Sequence, residues 1–101
     1  MVSLSDLSPE EREAVRSLAR ALSYFARERA YGYIDRLANA FSILTARHVL
    51  TEMLRDLKSE RDRGADVWIP KGNEVEKVLE IAEKDLSILK VVASLALAYG
   101  W

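Results

Sequence analysis

No cysteine occurs among the 101 residues, which excludes disulfides, thiolate metal sites and a thiol nucleophile. Glutamine is absent too, and the only asparagines are Asn39 and Asn73. Depletion of such thermolabile residues beside many charges is a tendency of proteins from hot-growing sources, so a thermophile origin is expected. His48 is the single histidine. One histidine without cysteine gives no basis for a transition-metal site. The Glu-x-x-His pairs of di-iron bundles are also missing, since Thr45 stands three residues before His48. The four glycines are isolated, and Pro70-Lys71-Gly72-Asn73 reads as a turn and not as a phosphate-binding loop. No cofactor is expected.

Charge of one sign is equally scarce. The formal net charge is -1, so no global excess draws the chain to nucleic acid or acidic lipid. Its start lacks the basic and apolar regions of a signal peptide. The charge-free run from Val91 to Trp101 is roughly half the length a bilayer span needs. A soluble, cytoplasmic protein without a membrane partner is the expectation.

What is present is helical. Half the residues are hydrophobic and 31% are charged, which fits one soluble all-α domain. Ser8-Pro9-Glu10-Glu11 reads as a helix start with a capping box. Val15, Leu18, Ala19, Leu22, Phe25 and Ala26 continue it as one apolar face. Tyr31-Gly32-Tyr33 reads as a turn, because glycine readily ends a helix. Gly64 reads as the residue that closes the following helix, and Ala65 to Asn73 as a long non-helical stretch. Asn73 then caps the last helix, with Glu76 in the capping-box position. The pattern predicts an antiparallel three-helix bundle with helices at 9–30, 33–63 and 74–99 and a loop at 64–73.

The central helix carries two seams. Ile34, Leu37, Phe41, Leu44 and His48 form one; Ile43, Ala46, Leu50, Met53 and Leu57 form the other, on nearly the opposite side. A monomeric three-helix bundle needs only one broad stripe per helix. Two explanations compete: burial between chains, or a kink near Thr45 that makes four helices. The charge-free end of the last helix is read as buried on most sides and favours burial between chains. The expected protein interface is Leu50, Met53, Leu57, Val92, Leu95 and Tyr99, with Trp68 as either a lid on the bundle or an anchor for a partner. Trp101 carries the same two readings.

Two further side-chain groups carry candidate chemistry. Arg12, Arg16, Arg20 and Arg27 fall on one side of the first helix, where guanidinium groups could track a phosphate backbone. The competing reading is a solvated face with Glu13 and Glu28 as ion-pair partners. His48 beside Glu52 has the makings of a general base, against a plain reading as a hydrogen-bonded histidine on the flank of the core. The functional expectation is a non-catalytic helical interaction module, a homodimer or the small subunit of a larger assembly. The alternative is a nucleic-acid-associated protein using the arginine face.

Overall fold

A computed structural model describes residues 3–100. Trp101 lies outside the described residues, as do Met1 and Val2. Behind a 3-10 turn at Leu4–Asp6, the described chain forms five helices: α1 (Pro9–Ser23), α2 (Arg27–Ala38), α3 (Ile43–Asp62), α4 (Gly72–Lys84) and α5 (Ile88–Tyr99). The all-α class is as expected. The three-helix count is not, because each expected helix breaks or shifts.

The first helix starts as its capping box dictates. Ser8 Oγ accepts the Glu11 N–H at 3.1 Å, and Glu11 accepts the Ser8 N–H at 2.9 Å. It ends early, at Ser23, and Gly32 lies inside α2. Nothing in Tyr24-Phe25-Ala26 is a breaker by type. Here tertiary packing overrides helix propensity: Phe25 is buried and sets its ring 5.0 Å from that of Tyr33 on α2.

The central helix also divides, at residues 39–42 and not at Thr45. Asn39 donates its side-chain N–H to the Asp35 carbonyl at 2.8 Å and closes α2. Ser42 Oγ accepts the Thr45 N–H at 3.1 Å and opens α3. Thr45 therefore sits in the first turn of α3. Ile34 and Leu37 of the first seam are buried on α2; Ala46, Leu50, Met53 and Leu57 of the second are buried on α3. Two helices, each with its own buried face, account for these residues, while Phe41, Leu44 and His48 of the first seam stay exposed. The far end of α3 matches expectation. Gly64, at φ 92°, lets its N–H reach the Arg61 carbonyl (2.9 Å) and the Ala65 N–H reach that of Glu60 (3.0 Å).

Beyond the loop, α4 begins at Gly72, so Lys71 occupies the capping position expected of Asn73. Glu74, not Glu76, reaches back to the Lys71 N–H at 2.9 Å. The last expected helix breaks at residues 85–87, where the Asp85 carboxylate accepts the Ser87 N–H at 2.9 Å. A short acidic side chain offers the backbone a turn in place of the next helical bond.

α1 is the central element, packed against α5, α4 and α2; α2 also packs on α5 and on α3, and α3 on α4. Ser17–Glu74 and Glu10–Lys77 pair α1 with α4 in antiparallel order. Arg29–Glu60, Tyr33–Asp56 and Arg36–Glu52 do the same for α2 and α3.

This packing corrects the expected interface. Leu50, Met53, Leu57 and Val92 are 0 to 1% exposed inside the chain's own core, so they have no surface to offer a partner. Leu95 is half-buried against the same core. Tyr99 is 43% exposed. The end of α5 is one-sided and not buried all round: Val92, Ala93 and Ala96 face inward, while Ser94, Leu97, Ala98 and Tyr99 face out.

Candidate functional site

The surface around α3 holds what the core does not use. Ser42 and Asn39 fix the turn between α2 and α3, and that turn carries Phe41 outward. Leu44 follows in the first turn of α3. Phe41 is 82% exposed and Leu44 79%. Sequence periodicity had assigned both to a buried seam. They continue the spacing of Ile34 and Leu37, but the break at 39–42 turns them away from that side. His48, the last member of the same seam, is also exposed on α3.

Further along α3 the charges are sorted by sign. Glu52, Asp56 and Glu60 recur every fourth residue and face α2. Arg36 grips Glu52 with two bonds, of 2.9 and 3.1 Å, and this contact holds the Glu52 carboxyl below its ordinary range. Arg29 reaches both Asp56 and Glu60 at 3.2 Å. The Tyr33 hydroxyl donates to Asp56 at 2.8 Å. Burial first, and that bond second, push the Tyr33 phenol up to about 12. The outward face carries Arg47, His48, Thr51, Arg55, Lys58 and Arg61, with Asp62 at its end. Arg47 is held by Glu76 of α4 at 2.8 and 3.1 Å, and its contact lowers the Glu76 carboxyl. Arg55, Lys58 and Arg61 are exposed and make no ion pair or hydrogen bond with any described residue.

His48 sends Nε2 to Glu52 at 2.8 Å, so its partner is on its own helix and not across the bundle. The histidine is exposed, on the rim of a shallow groove with Tyr33, Thr51, Arg55 and Ser59. Glu52 is shared with Arg36 of α2, and it is this Arg36–Glu52 contact that ties α2 to α3. Among the described residues there is no group of three or more metal-ligating side chains.

The four arginines expected to form one stripe are not one surface. Arg12 turns back and donates to the Leu7 carbonyl at 2.6 Å. Arg20 lies over the Trp68 ring, 4.6 Å from its centroid. Arg27 falls beyond the break, at the first position of α2. Arg16 alone is exposed on α1 without a described partner. Trp68 itself is half-buried against the core and donates its indole N–H to Ser17 at 2.9 Å. That is the placement of a lid.

The sequence signal that could have exposed the α3 surface is its sign pattern: acids at 52, 56 and 60 one side, bases at 47, 55 and 58 on the other. No helix among the described residues is long and apolar enough to cross a membrane. No curated protein and no solved structure matches the chain. One family model does match. Residues 21–67, just under half of the chain and running from the last turn of α1 through α2 and α3 to the loop, are similar to a CRISPR-associated protein family (Cas_Csa5).

Proposed function

We propose that this chain is a non-catalytic helical subunit of a CRISPR-associated assembly in the cytoplasm, docked on a protein partner through the tip between α2 and α3. The observation that carries the reading is the pair Phe41 and Leu44, exposed by 82% and 79% on a turn that both neighbouring caps hold in place. A single exposed apolar side chain is ordinary. Two large ones at a capped helix junction, inside the segment similar to the CRISPR-associated family, form a rigid knob suited to a partner's pocket.

Co-expression with the CRISPR-associated proteins of its source organism, followed by native mass measurement, tests this. A stoichiometric complex is expected, lost on Phe41→Ser with Leu44→Ser while the melting temperature stays put, since exposed sites shift stability by only about 0.5 kcal/mol. Leu57→Ala is the contrast: it empties a site that is 0% exposed and costs about 2–5 kcal/mol. A chain that stays monomeric beside those proteins overturns the subunit reading. A dimer of the chain alone, abolished by the same two substitutions, assigns the knob to a second copy instead.

A further inference from the structure

We infer that the straight segment between α3 and α4 is an edge on which a partner protein lays an extended strand, with an arginine or lysine of that strand in the groove beside Tyr24. This is a second contact. It lies at the far end of the 20-residue α3 from the Phe41–Leu44 knob, about 30 Å away along the helix.

Three observations carry it. The first is an unpaired backbone. Residues 65–71 form no helix, turn or bend, so the chain runs straight. Its ends are engaged: the Ala65 N–H goes to the Glu60 carbonyl, and the Lys71 N–H to the Glu74 carboxylate. Between them, the N–H and C=O groups of Asp66, Val67, Trp68 and Ile69 bond no described residue. Such a row of free donors and acceptors is the template a further strand needs.

The second is rigidity. Trp68 donates to Ser17 at 2.9 Å and lies beneath Arg20. Val67 and Ile69 pack against the core beside it, and Pro70 is buried. The edge is therefore held before anything binds, and little ordering of this chain opposes the partner.

The third is a groove for one side chain. Exposed Tyr24 walls it together with Ala26 and Val67. Of the charges that line it, Arg29 and Glu60 hold each other at 3.2 Å, while Glu28 is exposed and has no described partner. Asp66, on the edge itself, is a second exposed carboxylate without one. An apolar wall beside a free carboxylate suits the aliphatic stem and cationic head of arginine or lysine. The face of the Tyr24 ring attracts the same cation.

The test is an NMR titration of the isotope-labelled full chain with a short capped peptide of threonine and valine that carries one central arginine. At millimolar peptide, shifts are expected in the amides of residues 66–69 and in the Tyr24 ring. The same peptide with glutamate for arginine is expected to bind roughly 10-fold more weakly, because it sets like charges together. Glu28→Gln should weaken the arginine peptide by about 2- to 5-fold, the worth of one exposed ion pair. Asp66→Pro and Val67→Pro each remove one N–H while suiting a straight chain, and at least one should weaken binding by about 3- to 10-fold. Glu28→Gln alters only an exposed side chain, so it reports on binding even where a proline variant unfolds. Phe41→Ser with Leu44→Ser leaves the titration as it is, so the edge and the knob stand or fall separately. No shift at millimolar peptide, shifts centred on another surface, equal binding of the two peptides, or binding untouched by Glu28→Gln overturns the inference. So does a dimer of the chain alone that protects the same amides, which makes the occupant a second copy.

Discussion

The indole N–H of Trp68 and the carboxylate of Glu74 share one hydroxyl, that of Ser17, at 2.9 and 2.8 Å. Ser17 is the one buried polar side chain among the described residues, 2% exposed in the middle of α1. It accepts from the loop and donates to α4, and Glu74 in turn takes the Lys71 N–H. Three segments are thereby tied to a single atom.

Breaking that tie should have graded effects. Trp68→Phe keeps a ring but strips Ser17 of its donor, for an expected loss of about 0.5–1.5 kcal/mol. Ser17→Ala removes both bonds and leaves the Trp68 N–H and Glu74 without their partner, which should cost about 1–3 kcal/mol. Chemical denaturation of the two variants measures this. A Ser17→Ala protein as stable as the parent would show that the hydroxyl carries no weight.

Gly32 gives an opposite sign. It lies inside α2, exposed, and an added Cβ would meet no atom within 4 Å. Gly32→Ala should therefore stabilise the fold by up to about 1 kcal/mol through helix propensity. The same change at Gly64, with φ at 92°, should destabilise it. Were Gly32 the turn its sequence context suggests, both variants would lose stability. Paired thermal melts decide between the two outcomes.

Alkaline pH addresses Tyr33. Its phenol is raised from 10.0 to about 12 in the folded chain. The unfolded chain therefore releases this proton first, and the stabilisation, complete below pH 10, declines as pH climbs towards 12. Tyr33→Phe should flatten the alkaline limb of a stability–pH curve. It should also remove, from an ultraviolet titration, the phenolate signal that arrives last. A limb of unchanged steepness in the variant would assign the decline to other groups.

Much of this architecture is readable from residue types where a local signal exists. Ser8-Pro9-Glu10-Glu11 opens α1 and Gly64 closes α3, because capping and left-handed backbone depend on the residues in place. The two seams of the central stretch are legible in part: Ile34 and Leu37 of the first are buried on α2, and Ala46, Leu50, Met53 and Leu57 of the second on α3. The Phe25 corner was illegible for the opposite reason, since only its contact with Tyr33 makes it. Gly32 was misread as a turn and Asp85 was overlooked as one. For the candidate site, periodicity placed Phe41 and Leu44 inward because it assumes one unbroken helix. The arginines of α1 looked like a set until Leu7, Trp68 and the break before α2 divided them.

The family-matched segment begins at Ala21, two residues from the end of α1, and stops at Val67, one residue short of Trp68. It holds all of α2 and α3 but little of what they rest on. The helices that cover the inner face of α2, α5 above all, lie outside it, as does the tryptophan that pins the loop. Excised alone, residues 21–67 would leave α2 without α5 and α3 without α4. What resembles the CRISPR-associated family is thus a pair of helices whose cover comes from the rest of the chain.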